Sequence, residues 1–216
     1  MVEIMRKRVF EGISSSGVFD VRGKQGALPV GIQRLSGEGI LFGPVCTAWC
    51  EEGSVSGVVS GLEECRAGDV LVIQGGGDWA YFGELTGAEA VRRGIVGLVA
   101  DCYVRDVKVL AGWPIQVFAR GATPKGAGFR SPGKAGVPLK VGLVTVSPGD
   151  WVIGDADGLV VVPAGEVDGV LDSATELVAR EGRWASGVLG GVGLLDQTFD
   201  DGSTLRDRLD GSMKRC

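Results

Sequence analysis

Two periods of hydrophobic and polar positions alternate along this chain. Val70-Leu71-Val72-Ile73 is an unbroken apolar run, opened by the Gly68-Asp69 turn and followed by Gly75-Gly76-Gly77-Asp78. A short apolar run bounded by turn residues predicts a buried strand. Val96-Gly97-Leu98-Val99-Ala100 repeats the pattern and predicts a strand over 95–100. Between the two, residues 84–93 follow a helical period, with Leu85, Ala88 and Val91 on one predicted face. Strand, helix and strand at this spacing predict a parallel crossover, right-handed as such units are.

The flanking segments fill out an α/β chain. Residues 3–25 predict an N-terminal helix and loop. Gly39 to Trp49 predicts a strand that passes Pro44 at an edge or bulge, because proline donates no ladder hydrogen bond. Residues 121–137 read as a loop rich in Gly, Pro and Lys. Strands are predicted over Val141 to Val146 and Trp151 to Val162, separated by the Pro148-Gly149-Asp150 turn, with a second turn at Asp155-Ala156-Asp157-Gly158. Residues 165–182 are helical by period, with Val167, Val170, Leu171, Ala174, Leu177 and Val178 on one face. No repeat or internal boundary appears. The expected organisation is one domain over 1–190 and an irregular, Gly- and Asp-rich tail over 191–216.

Composition narrows the function. A chain of 216 residues is long enough to bury a sizeable core. Its 38 glycines show no three-residue period, so they point to tight turns and exclude collagen. A net charge of −5 without a basic cluster argues against a grip on nucleic acid through phosphates. No apolar run is long enough to cross a membrane, and Met1 to Arg8 lacks the apolar core of a secretion signal. Together with an odd number of cysteines (Cys46, Cys50, Cys65, Cys102 and Cys216), this suits a reducing cytoplasm. Cys46 and Cys50 are four apart, but no histidine and no second close pair completes a zinc set. The chain contains no histidine at all. Acid–base or metal chemistry must come from carboxylates, Arg, Lys, Tyr, Cys or bound water.

Three segments at strand and helix ends are candidates. Gly75-Gly76-Gly77 exposes backbone N–H groups after a buried strand, which suits either an anion cradle or a tight turn. Gly83-Glu84-Leu85-Thr86 opens a helix, where free N–H groups attract a carboxylate and where Glu84 also suits the helix dipole as an ordinary cap. Arg105-Asp106 offers a fork for a carboxylate and a hard oxygen ligand for a divalent cation, or simply a surface ion pair. Position favours a site, because ligands in α/β folds bind beyond the carboxyl ends of strands. Other candidates carry less. Cys102 has no histidine partner. Asp155 and Asp157 suit a turn, and the five tryptophans suit core or subunit contacts. Lys125 and Lys134 suit a solvated loop.

The order and spacing of these motifs resemble the RraA-like family. The resemblance runs from about Val18 to Pro163. It is carried by Gly68-Asp69-Val70-Leu71-Val72-Ile73, Gly75-Gly76-Gly77-Asp78, Arg105-Asp106, Val117-Phe118-Ala119-Arg120-Gly121, Pro148-Gly149-Asp150 and Gly154 to Pro163. The family includes 4-hydroxy-4-methyl-2-oxoglutarate aldolases and regulators of a ribonuclease. The resemblance implies a single-domain swivelling β/β/α sandwich assembled as a trimer or hexamer, with sites at subunit interfaces. It implies a class II pyruvate aldolase or decarboxylase acting on a small 2-oxo acid with Mg2+, Mn2+ or another divalent cation. Its aldolases carry an acidic residue, a gap of twenty, Arg-Asp, and a further acidic residue three positions on. Here Glu84, Arg105 and Asp106 fill the first positions and Val109 departs from the last.

The implied catalytic set is therefore Arg105, Asp106 and Glu84. Asp106 anchors the metal. Arg105 and the N–H groups of Gly83, Glu84, Leu85 and Thr86 hold the substrate. Glu84 orders a metal-bound water. A neighbouring subunit's Glu176 or Glu181 completes the site. Gln74 stands where the family commonly has Asp, and Leu143 where it has Gly. These departures keep open a divergent lyase of secondary metabolism. The family's regulators keep open a module that inhibits a ribonuclease or helicase by contact.

Overall fold

A computed structural model describes residues 12–213. In chain order the first elements are α1 (Ser15–Val21), β1 (Gln33–Ser36), β2 (Leu41–Cys50), α2 (Ser56–Glu64), β3 (Val70–Gly75) and β4 (Ala80–Phe82). There follow α3 (Glu84–Arg92), β5 (Gly97–Val104), α4 (Val107–Leu110), β6 (Gln116–Ala122) and β7 (Lys134–Ala135). The chain continues through β8 (Leu139–Val141), β9 (Val144–Val146), β10 (Trp151–Gly154), β11 (Leu159–Val162), α5 (Val167–Leu189) and α6 (Leu205–Met213).

The main sheet runs β1-β6-β5-β3-β2-β10-β11, with β4 added to β5 and β7 to β2. Its centre is parallel: β2 pairs with β3, β3 with β5 and β5 with β6, all in the same direction. The predicted unit of β3, α3 and β5 is therefore a parallel crossover between adjacent strands. Alternation along the strands feeds two cores. Leu71 and Ile73 pack with Val58, Leu62, Ala90 and Leu110 from α2, α3 and α4. Val70 and Val72 pack on the other face with Leu139, Val141 and Val146 from the β8–β9 hairpin and Val152 and Val161 from β10 and β11. Burial on both faces is why these strands read as unbroken apolar runs. Each fully buried Val, Leu or Ile contributes roughly 1.5–3 kcal/mol of transfer free energy. A third cluster joins α1 and α5 to Phe42, Trp151, Ile153 and Val160. Helices on one face and a second β layer on the other make the expected β/β/α sandwich.

Pro44 marks the position where β2 changes partners. Leu41 to Pro44 pair with β10, and Val45 to Cys50 pair with β3. Asp155 shapes its turn by accepting the Asp157 amide at 3.0 Å, and it also accepts the Ser15 amide and hydroxyl at 2.6 Å each. That turn thereby anchors α1 to the β10–β11 hairpin.

Several expectations need correction. Helix α3 faces inward with Gly87 and Ala90, whereas Leu85 is 81% exposed and Ala88 lies outside. Leu110 and Trp113 press so close to Gly87 that even a methyl group there would force them to shift. The segment 141–146 is not one strand. It belongs to the β8–β9 hairpin, turned at Gly142 (φ +61°) and a fully solvated Leu143. The tail after residue 190 is not irregular. A 3-10 turn at Leu194–Asp196 leads to α6, and Trp184 stacks edge-on against Phe199 at 4.8 Å. Of the predicted N-terminal helix, residues 15–21 are helical and 3–11 lie outside the described residues. Finally, Cys46 and Cys65 are joined as a disulfide, contrary to the expectation of free thiols. Among the described residues no helix is long and apolar enough to cross a membrane.

Candidate active site at the carboxyl ends of the parallel strands

β5 runs further than its apolar stretch, because its polar residue Asp101 has a partner. Arg120 on the neighbouring β6 reaches the Asp101 carboxylate at 2.5 Å, and only 9% of that side chain stays exposed. The strand therefore continues through Val104, and Arg105-Asp106 follow it directly. The Arg105 amide donates to Phe82 O at 2.8 Å, which extends the β4–β5 pairing by one bond. Asp106 then turns the chain with left-handed backbone angles (φ 57°, ψ 31°). Such angles are uncommon for a residue other than glycine, and Asp is among those that tolerate them best.

This bend brings Asp106 onto the N-terminus of α3. Its Oδ2 accepts the Glu84 amide at 3.0 Å and lies 3.4 Å from Arg105 Nε. Thr86 Oγ1 accepts the Gly83 amide at 2.9 Å and donates to Gly83 O at 3.1 Å. A side chain on Gly83 would meet Arg105 Cγ and Asp106 Oδ2 at 2.7 Å, so only glycine lets the two segments approach. Gly126 likewise lies hard against the Arg105 guanidinium. The structure thus brings together Gly83, Glu84, Leu85, Thr86, Arg105 and Asp106. It corrects one detail of their expected use. The amides of Gly83 and Glu84 already have acceptors within the chain.

The site is open to water, with the Arg105 and Asp106 side chains 47% and 35% exposed. A shallow depression of ≈ 420 Å³ beside them is lined by Arg105, Asp106, Val107, Ala122, Thr123 and Pro124. Val109 lies one helical step on, its amide bonded to Asp106 O at 2.9 Å. Glu176 and Glu181 are exposed on α5, which packs against α1 and the β10–β11 end of the sheet.

The other candidates are placed differently. The triglycine turn leads into β4, not into a helix, and Tyr81 donates its hydroxyl to Gly76 O at 2.7 Å. The Glu52 carboxylate lies against Gly77, and its charge opposes an anion cradle there. Lys125 and Lys134 cover Trp79 and Trp49 at 4.3 and 5.8 Å instead of facing solvent alone. Cys102 is buried, and burial pushes its thiol well above the usual range, so it is no nucleophile. Gln74 donates to Lys140 O at 2.6 Å and ties β3 to the β8–β9 layer. Sequence reasoning missed the Asp101–Arg120 pair. Its signal was a carboxylate at the end of one apolar run and a guanidinium ending the next.

Fold and site define a mixed α/β protein with an Arg–Asp pair set against a helix N-terminus at strand ends. The chain belongs to the RraA-like family, described as Aldolase/RraA, whose sequence profile matches residues 11–161. A 4-hydroxy-4-methyl-2-oxoglutarate aldolase from Thermus thermophilus is 37% identical over 139 residues, which cover 63% of this chain and 84% of that protein. The structure of an RNA-processing inhibitor RraA, also from Thermus thermophilus, superposes with a TM-score of 0.65 at 33% identity, over 70% of this chain and 93% of that one. An uncharacterized protein from Pseudomonas syringae pv. tomato shares the fold more fully, with a TM-score of 0.78 at 24% identity over 89% and 92% of the two chains.

Proposed function

We propose that this protein is a divalent-metal-dependent aldolase that releases pyruvate from a 4-hydroxy-2-oxo acid, with oxaloacetate decarboxylation as a related activity. The observation that carries this proposal is the Asp106–Glu84–Arg105 contact. One carboxylate is held at a helix N-terminus beside a guanidinium, and a relative 37% identical is named as a 4-hydroxy-4-methyl-2-oxoglutarate aldolase. The donor set fits a hard cation. Asp106 spends Oδ2 on the Glu84 amide and keeps Oδ1, and Glu84 itself is an exposed carboxylate at the first position of α3. When bound, Mg2+ or Mn2+ supplies Lewis-acid stabilisation of the negative charge that develops on the pyruvyl unit.

The chain's own residues do the rest. Arg105 pairs with the substrate carboxylate through its fork, assisted by the helix-end amides of Leu85 and Thr86. Glu84 holds a water beside the C4 hydroxyl; that water takes the hydroxyl proton as the C3–C4 bond breaks and returns a proton to C3 of the pyruvate released. The apolar wall of Val107, Ala122 and Pro124 faces the remainder of the substrate. A neighbouring copy in a trimer or hexamer covers the open side, with Glu176 or Glu181 as the contributed acid. Val109 in place of an acidic residue alters how water is held, which suits a substrate that differs from the relative's.

The test is pyruvate release from oxaloacetate and from 4-hydroxy-4-methyl-2-oxoglutarate with Mg2+, with Mn2+ and with EDTA, beside Asp106→Asn. Metal-dependent release that the variant loses supports the proposal. Absence of release with every metal overturns it. The 33% identical RNA-processing inhibitor favours a second reading, a protein-binding regulator of a ribonuclease. Ribonuclease inhibition that EDTA and Asp106→Asn leave unchanged would support that one instead.

A further inference from the structure

The amino ends of the parallel strands, opposite the Arg105–Asp106 site, hold a second group of ligating atoms. Cys46 lies at the start of the β2–β3 pairing, and Cys65 is the residue that ends α2. Their Cα atoms are 5.7 Å apart and their sulfurs are joined. Asp69 closes the short turn from Cys65 into β3. The two Sγ atoms and a carboxylate oxygen of Asp69 all lie within 4.8 Å of one another. Both cysteines are buried and Asp69 is half-buried. Asp69 Oδ2 accepts the Arg66 amide at 2.8 Å.

A disulfide has no need of a carboxylate beside it. Two thiolates and one carboxylate are the ligand types that Zn2+ takes, and three protein ligands leave a fourth position for water.

We propose that Cys46, Cys65 and Asp69 form a redox-gated site for a thiophilic divalent cation such as Zn2+. With the disulfide formed, the site is closed. A dithiol reductant opens it: the Cys46–Cys65 bond breaks, the two sulfurs each gain one electron and one proton, and the reductant leaves as its own disulfide. Binding of the cation then releases both thiol protons to solvent and leaves two metal thiolates. With Zn–S bonds of about 2.3 Å, tetrahedral sulfurs stand roughly 3.8 Å apart. Small side-chain rotations reach that separation from the present Cα spacing. The four-residue spacing of Cys46 and Cys50 completes no ligand set. Along a strand those two side chains share a face but stand far apart, whereas the β2–α2–β3 connection brings Cys65 and Asp69 to Cys46.

The experiment uses full-length protein carrying Cys216→Ser, reduced with dithiothreitol and freed of it without air, then titrated with Co2+. The expected result is one Co2+ per chain with a near-ultraviolet sulfur-to-cobalt absorption band, displaced by Zn2+. Diamide-oxidised protein gives no band. Cys65→Ser loses it. Asp69→Asn, which keeps both cysteines, re-forms the disulfide but weakens Co2+ binding by at least about tenfold, the loss seen even when an outer partner of a metal ligand is removed. No band in the reduced protein overturns the proposal, as does an unchanged band in Cys65→Ser or unchanged affinity in Asp69→Asn. None of these readouts needs aldolase activity, so they stand apart from the proposed reaction.

Discussion

Asp106 Oδ2 accepts the amide of Glu84 at 3.0 Å across a sequence separation of 22. A residue two positions beyond strand β5 thus caps a helix begun before that strand, and one side chain serves both the fold and the proposed chemistry. The two roles separate by substitution. Asp106→Asn keeps an acceptor for Glu84, and Asp106→Ala removes it. Asp106→Ala is expected to lose about 1 kcal/mol of stability, the usual cost of an N-terminal cap, and Asp106→Asn much less. Both are expected to lose metal-dependent pyruvate release. Denaturant unfolding beside a pyruvate assay checks this. Equal stabilities for the two variants would show that the cap contributes nothing.

Gly83→Ala tests the close approach of the two site segments. The added methyl meets Arg105 and Asp106 before any other group. The fold should survive, because both side chains are partly exposed and can move. The expected result is a KM for the 2-oxo acid raised several-fold, with a melting temperature within a few degrees of the parent. An unchanged KM would mean that the arginine is not held where the substrate binds.

The Asp101–Arg120 pair should behave as a coupled unit. Arg120→Ala leaves a carboxylate that is nearly buried without its partner, a loss of roughly 1–3 kcal/mol. Adding Asp101→Asn removes that charge, so the double variant should be more stable than Arg120→Ala alone. A double-mutant cycle measured by urea unfolding decides it. Simple additivity would place the two residues in separate environments.

Cys50 supplies a pH signature. Burial pushes its thiol from 9.0 to about 11, ahead of the opposing hydrogen bonds from Val58 and Gly57. The folded state therefore holds a proton that the unfolded chain gives up first. Stability from this group is complete below about pH 9 and is lost as pH rises from there to about 11. The slope reaches at most about 1.4 kcal/mol per pH unit. Cys50→Ala should flatten the fall in melting temperature across that window. An identical fall in both proteins would assign it to other groups.

The sequence by itself determined the layers of the fold. Apolar runs such as Val70 to Ile73 can be buried only between two layers, and the period of 165–182 can bury only one stripe of a helix. Those constraints are local, so they survive without coordinates. The motif order from Gly68 to Pro163 likewise identified the family and brought Glu84, Arg105 and Asp106 into one group. What local pattern could not carry was decided by contacts between distant residues. Asp101 continues a strand that its polarity seemed to end, because Arg120 waits on the next strand. Gly87 replaces Leu85 on the inner face of α3, because Leu110 and Trp113 press in from a later segment. Cys46 pairs with Cys65 rather than standing with Cys50, because a helix returns the chain to its side. In each case the partner is remote along the chain and adjacent in space, and only the packed tertiary structure sets that distance.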